Sequence, residues 1–149
     1  MDPRELRILQ SIEMGMSQFE FVPFDRIVKF AGLKDSEVEF WIDDLDTKDL
    51  LWRQIEDYKG YILNYNSYDL LGLNALVKGN IIDALGMSLG VGKEADVFDA
   101  LRPDGGRVAV KFHRLGRVSF RDTRRKREFL ANRRHVSWLY QSRLAAERE

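Results

Sequence analysis

Residues 90–111 read G-V-G-K-E-A-D-V-F-D-A-L-R-P-D-G-G-R-V-A-V-K, and the second half of the chain is organised around them. Two apolar segments, residues 97–101 and 108–112, predict short strands. Turn-forming residues at 103–106 separate them and predict an antiparallel hairpin. A glycine-bearing loop at 90–95 comes before the hairpin, and Lys111 comes near the end of its second strand. The predicted order is therefore a loop, a hairpin and a strand lysine.

This order suits phosphate binding, because glycines let backbone N–H groups approach an anion and a strand lysine can meet it. A protein-kinase small lobe holds ATP phosphates with these parts. The loop is not a Walker A loop, since Glu94 follows Lys93 where Ser or Thr is required. Two plainer interpretations stay open: an ordinary hairpin approach with two glycines, and a lysine whose ammonium extends to water.

Composition predicts a soluble, cytoplasmic protein of one or two small domains. The 149 residues are 44% apolar and 32% charged, and they include no cysteine. No apolar run reaches the roughly 18–20 residues of a membrane span, and the polar start is unlike a signal peptide. The net charge of zero hides a division: residues 1–70 carry 15 acidic and 8 basic side chains, whereas residues 71–149 carry 9 and 16. Such a split suggests two units with different partners.

The first half predicts a winged helix-turn-helix domain over residues 1–79. Asp2 and Pro3 form a helix start, a short helix ends near Gly32, and a third helix is expected to be capped by Asp35 or Ser36. Residues 50–55 and 61–65 predict a hairpin, which completes the winged-helix pattern. We expect Ser67 to cap a fourth helix. Residues 80–149 would form the second unit, with its first strand at 81–85.

The third helix argues against simple DNA reading. Its carboxylates would repel a phosphate backbone, which dominates nucleic-acid affinity. We therefore expect no specific DNA reading and favour protein docking or a structural role, although three basic residues near the wing leave RNA or DNA contact open. The carboxylates are Asp35, Glu37, Glu39, Asp43, Asp44 and Asp46; the basic residues are Lys29, Arg53 and Lys59.

A basic segment follows Lys111, and from about Arg124 it predicts one long helix without Gly or Pro. Its basic side chains could form a solvated face, bind RNA backbone or hold a phosphorylated residue such as Ser119. His113 and His135 lack a second ligand at metal spacing, so no metal site is predicted. The basic residues are Arg114, Arg117, Arg121, Arg124, Arg125, Lys126, Arg127, Arg133 and Arg134.

Four segments together resemble the second subfamily of the RIO atypical protein kinases. They read G-V-G-K-E-A-D-V-F at 90–98, V-K-F-H-R-L-G-R-V-S-F-R at 110–121, K-R-E-F-L at 126–130 and S-W-L-Y-Q-S-R-L-A at 137–145. That subfamily joins an amino-terminal winged helix to a kinase domain, so the resemblance covers the whole chain. The implied fold class is α+β: a winged helix, then a truncated kinase-like small lobe with an antiparallel sheet and a long helix.

The resemblance implies an ATP-dependent serine/threonine kinase or ATPase that acts in maturation of the small ribosomal subunit, with pre-ribosomal protein and RNA as partners. Lys111 matches the phosphate-contacting lysine, Glu149 falls where a helix glutamate would pair with it, and Ser119 is a candidate phosphorylation site. Ala95 departs from the Ser that many members carry. The residues that match the nucleotide loop are Gly90, Val91, Gly92, Lys93, Glu94, Ala95 and Asp96.

Only 38 residues follow Lys111, and they contain no catalytic loop and no metal-binding Asp of the kinase type. The first hypothesis is therefore the amino-terminal part of a RIO-type kinase that has no phosphotransfer activity alone and needs a further lobe for Mg²⁺. The second is a stand-alone winged-helix adaptor that binds RNA or assembling ribosomes through its basic segment, indifferent to Lys111.

Overall fold

The computed structural model describes residues 1–92 and 95–114. Contacts divide the chain into a first unit, Met1–Ala75, and a second that begins at Leu76, shortly before the boundary predicted after Gly79. None of the helices in the described ranges is long and apolar enough to cross a membrane. The long basic helix predicted from Arg124 lies outside the described residues.

The first unit has the predicted winged-helix order. Three helices come first, a hairpin follows, and a fourth helix ends the unit; a two-residue strand adds to the hairpin to make an antiparallel sheet of order β1-β3-β2. The elements are α1 (Pro3–Gly15), β1 (Val22–Pro23), α2 (Phe24–Ala31), α3 (Asp35–Thr47), β2 (Leu51–Gln54), β3 (Gly60–Leu63) and α4 (Tyr65–Lys78).

Helix starts follow local side-chain chemistry, with two corrections. Asp2 caps α1 as predicted: its carboxylate accepts the Arg4 N–H at 2.8 Å, and Glu5 completes a capping box. The expectation that Asp35 or Ser36 caps α3 is wrong, because Lys34 holds the extended cap position and Asp35 is already helical. Glu37 reaches back from the first turn to accept the Lys34 N–H.

The expectation for α4 is also wrong. Asn64, the residue before the helix, accepts the Ser67 N–H at 3.2 Å and thus acts as the cap. Ser67 lies inside the helix, fully buried, where its hydroxyl donates to the Leu50 carbonyl. The Asn64 amide also donates to the Asp49 carbonyl at 2.8 Å, so both polar side chains attach α4 to the start of β2.

A hydrophobic core fills the first unit. It joins one face of α1 to α2, α3 and the inner side of the sheet. Its most deeply buried side chains are Ile8, Leu9, Ile12, Val22, Ile27, Val38, Ile42, Leu45 and Leu63. Since this core draws on every helix and strand from α1 to α4, the first unit has what an independent domain requires.

The second unit contains an antiparallel sheet of order β4-β5-β6, with β4 at Ala84–Val91, β5 at Ala95–Leu101 and β6 at Arg107–His113. The α+β class is confirmed. Both predicted hairpin strands exist and are slightly longer than expected, whereas the first strand expected at 81–85 is wrong in its bounds. The β5–β6 turn is the predicted one: Gly105 has φ +83°, a conformation that suits glycine.

Candidate functional site

The glycine run forms a hairpin tip instead of a separate loop. Gly90 pairs with Val97 and Val91 with Asp96, so both belong to β4, and Ala95 already belongs to β5. The Gly92 N–H donates to the Ala95 carbonyl at 2.7 Å and closes the tip. The predicted loop over 90–95 was therefore too long. Lys93 and Glu94 lie outside the described residues.

Lys111 lies in the same cross-strand row of the sheet as Gly90. Val97 of β5 is the cross-strand partner of Gly90 on one side and of Lys111 on the other. Paired residues share a face, so the three positions form one row across the sheet. In the sequence, Gly90 and Lys111 are 21 residues apart. Strand pairing brings them together.

The space next to Gly90, at the β4 end of this row, is open. In the described part of the chain, no atom lies within 4 Å of a Cβ built on Gly90, whereas one built on Gly92 would lie 3.1 Å from the Ala95 carbonyl. Lys111 itself is exposed. An approaching anion could therefore reach the β4 backbone and the Lys111 ammonium from one side, which is the arrangement that phosphate recognition requires.

Two apolar residues on this face were not singled out from the sequence. Val97 lies in the row itself, and Ala109 pairs with Asp99 in the next row on the same face. Together they offer a small apolar surface beside the lysine, of the kind that packs against a flat ligand ring. In the sequence, Val97 lies two residues before Asp99, and Ala109 lies two residues before Lys111. This spacing places each pair on one face of its strand, but only the register shows that both pairs share the same face of the sheet.

At the far end of the same face, Arg107 and Asp99 form an exposed ion pair. The Arg107 Nε donates to Asp99 Oδ1 at 3.2 Å, and a second guanidinium nitrogen contacts the other oxygen. The hydrogen bond from Arg107 lowers the pKa of Asp99 below its ordinary value. This carboxylate is therefore ionised and matched by its own cation near neutral pH.

Asp96 occupies the opposite face from Lys111. It pairs with Phe112 of β6 and Val91 of β4, one position out of phase with the lysine row. Its carboxylate accepts the Arg114 Nε–H at 2.8 Å, and the residue is 9% exposed. The resemblance placed Asp96 with the nucleotide loop, but the register points its side chain to the face opposite Gly90 and Lys111, which it shares with Val91.

Val91 and Ala95, which were also predicted for the site, pair with Asp96 and His113. Ser119 and Glu149 lie outside the described residues. His113 ends β6 opposite Ala95, on the lysine face. Within residues 1–92 and 95–114, no group of three or more His, Asp or Glu side chains is placed to hold a metal ion.

In the first unit, the acidic helix α3 is partly neutralised by neighbouring cations. Lys59 contacts Glu39 at 2.7 Å, Arg53 contacts Asp46 at 3.3 Å, and Lys48 contacts Asp44 at 2.6 Å. Two of the three basic side chains that could have made a spot near the wing, Lys59 and Arg53, are thus held by α3 carboxylates. Phe40 is 64% exposed on this helix, between Glu39 and the half-buried Trp41.

Comparison with known proteins agrees with both units. The family described as "Rio2, N-terminal" matches residues 1–79, and the family described as "RIO domain" matches residues 96–149. The RIO-type serine/threonine-protein kinase Rio2 of Methanocaldococcus jannaschii is 42% identical over 134 residues, which cover 90% of this chain and 48% of the relative.

Two solved structures from Chaetomium thermophilum are similar in fold. The Rio2 kinase matches with a TM-score of 0.78 and 36% identity, covering 99% of this chain and 42% of that one. The Rio2 kinase–ADP/Mg²⁺–phosphoaspartate complex matches with a TM-score of 0.73 and 33% identity, covering 80% of this chain and 36% of that one.

The chain spans between 27% and 48% of the length of five curated relatives that it matches, all of them named as Rio2 kinases. The first family model matches the winged helix, residues 1–79, and the second matches residues 96–149, which include Lys111. From its winged helix to its RIO-domain sheet, this chain belongs to the Rio2 family.

Proposed function

We propose that this chain is the amino-terminal part of an ATP-dependent serine/threonine kinase or ATPase, and that the face bearing Gly90, Val97 and Lys111 receives the nucleotide. The observation that carries the proposal is the row across the sheet, which combines open glycine backbone with a lysine ammonium. The Rio2 kinase complex from Chaetomium thermophilum, which is similar in fold, contains ADP and Mg²⁺ and so supports the choice of ligand.

Each residue on this face has a distinct task in the proposal. Backbone near Gly90 and Gly92 approaches the phosphates, because no β-carbon stands between it and the ligand. The Lys111 ammonium neutralises phosphate charge. Val97 and Ala109 pack against the adenine ring. Mg²⁺ would neutralise further phosphate charge, and we expect carboxylates of a further lobe to hold it.

The cellular role follows from family membership and is likewise a proposal. A protein of this family would act in the cytoplasm on the maturing small ribosomal subunit, with pre-ribosomal protein and RNA as partners and without specific DNA binding. We further propose that the 149 residues alone transfer no phosphate, since they contain no motif with the Asp base and Asn of a kinase catalytic loop.

The test is an ATP titration of the 149-residue chain followed by NMR, with Lys111→Ala and the matched control Lys78→Ala. Lys78 is an exposed lysine at the end of α4. Loss of a charge-assisted phosphate contact should weaken ATP binding by about tenfold for Lys111→Ala. The control should bind as the wild type does. Equal affinity in all three proteins would refute the site and favour the RNA-binding adaptor instead.

A further inference from the structure

The ion pair between Asp96 and Arg114 is more enclosed than the exposed Asp99–Arg107 pair of the same sheet. Arg114 Nε lies 2.8 Å from Asp96 Oδ2, and the two side chains are 16% and 12% exposed. The Arg114 guanidinium also lies 5.6 Å from the centroid of the Phe112 ring, within cation–π range. Because both side chains are largely buried, removing one partner would leave the charge of the other uncompensated, which is costly.

The pair connects the glycine hairpin to the end of the strand that carries Lys111. Asp96 directly follows Ala95, whose carbonyl accepts the Gly92 N–H at the hairpin tip. Arg114 directly follows His113, the last residue of the strand that carries Lys111. A bond between these two side chains therefore ties the root of the glycine hairpin, Gly92 and Ala95, to the end of β6.

Asp96 cannot serve the site by touching phosphate. Its side chain is on the face opposite Lys111, and a carboxylate beside phosphate would be repelled. Through its ion pair with Arg114, Asp96 can instead fix the position of the β5 backbone. Because Val97 is both the next residue and the cross-strand partner of Gly90 and Lys111, a shift at Asp96 would move the whole row.

We propose that Asp96 and Arg114 are positioning residues, whose ion pair on the back of the sheet holds the root of the glycine hairpin in register with Lys111 for phosphate contact. The inference rests on the proposed nucleotide site for its ligand, but the positioning itself can be measured without ligand. It also reassigns Asp96 from contacting the nucleotide to supporting the residues that do.

The first measurement is hydrogen exchange of the Gly92 amide by NMR in the 149-residue chain without nucleotide. Asp96→Asn and Arg114→Gln should each lower its protection by about tenfold, since each removes the ion pair at the hairpin root, although the backbone pairing of β5 with β6 remains. The double variant should show no further loss, as expected when two residues act as one unit. Asp99→Asn is the matched control, because it breaks an Arg–Asp pair of the same sheet that is exposed.

The second measurement compares ATP with adenosine, using the same variants under conditions where circular dichroism shows them folded. Asp96→Asn should weaken ATP binding several-fold and leave adenosine binding unchanged, because the hairpin root serves the phosphates. A general structural defect would weaken both ligands equally. The conservative variant Asp96→Glu, which keeps the charge, should recover part of the ATP affinity.

The outcomes separate the two proposals. Unchanged Gly92 protection in Asp96→Asn and Arg114→Gln would overturn the positioning role, as would lowered protection with unchanged ATP affinity. If the wild type binds neither ATP nor adenosine while Gly92 protection still falls in the variants, the nucleotide proposal fails and the tie between the hairpin root and β6 stands.

Discussion

Gly15 and Gly72 are both helical glycines, yet the structure gives them opposite roles. A Cβ built on Gly15 would lie 2.9 Å from Val22 Cγ2 and nearer still to Cγ1, whereas one on Gly72 meets nothing within 4 Å among the described residues. Gly15 is thus needed where α1 passes β1. Gly72 only adds flexibility to the exposed side of α4.

We expect Gly15→Ala to destabilise the protein by about 1–3 kcal/mol through overpacking against Val22. Gly72→Ala should instead stabilise it by about 0.5–1 kcal/mol, because alanine restricts the unfolded chain and favours helix. Urea denaturation of both variants measures the two free energies of unfolding. Shifts of the same sign would contradict the close approach at Gly15.

Lys48 joins two acidic residues of the first unit, Glu5 on α1 and Asp44 on α3. The hydrogen bond from Lys48 lowers the pKa of Asp44 below its ordinary value, and the hydrogen bond to Asp44 raises the pKa of Lys48. A carboxyl group whose pKa is lowered on folding stabilises the protein above its ordinary pKa of 3.8 and loses that contribution as pH falls through the lower, folded value.

Asp44→Asn should therefore be less stable than the wild type near neutral pH, and the difference should shrink as pH falls below 3.8. Thermal unfolding between about pH 2 and pH 7 measures it. Asp57→Asn, in the exposed turn between β2 and β3, is the control. A difference from the wild type that stays constant over the whole range would show that Asp44 acts through something other than its charge.

At the scale of the element, the charge of α3 departs most from what a winged-helix fold suggests. A third helix in a winged-helix domain commonly enters the major groove of DNA. Here six carboxylates occur between Asp35 and Thr47, and three of them take up neighbouring cations. The remaining charge opposes phosphate, and we expect the exposed Phe40 to favour protein contact instead.

We expect no gel shift of duplex DNA by the wild-type chain at about 150 mM salt. Asp43→Lys, on the exposed side of α3, should add weak binding at low salt that disappears as salt rises. Asp83→Lys, before β4, should add less DNA binding, because it leaves the acidic helix unchanged. Tight binding by the wild type at physiological salt would contradict the electrostatic argument.

At the scale of the whole molecule, the two units differ in how much apolar surface they bury. Of the seventeen buried hydrophobic residues in the described part, fourteen belong to the core of the first unit. The described part of the second unit contributes Ile82, Ala95 and Ala100, while β4 is exposed along its length. Local stability should follow this division.

Residues 1–79 expressed alone should therefore unfold in one cooperative transition, since they contain a complete core. In the 149-residue chain, amides of α1 and α3 should exchange far more slowly than those of β4. Circular dichroism in urea and hydrogen exchange measure the two effects. A fragment without a cooperative transition would show that the first unit depends on the second.

Much of the fold could be predicted because its signals are local. Asp2 and Pro3 start α1, Gly32 ends α2 with φ +63°, and Gly105 turns the β5–β6 hairpin. One error arose because a residue's partner is distant in sequence. Serine often caps helices, but the Ser67 hydroxyl donates to the Leu50 carbonyl, and Asn64 occupies the cap position.

The sequence by itself determined the winged-helix order, the hairpin with its turn, the resemblance to RIO kinases and the candidate residues Gly90, Gly92 and Lys111. Only the tertiary structure decided that Gly90 continues a strand, that Val97 links it to Lys111, and that Asp96 lies on the back of the sheet with Arg114. The reason is physical. Turns and caps are determined within a few residues, whereas the face of a sheet depends on register, and a slip of one residue exchanges the two faces.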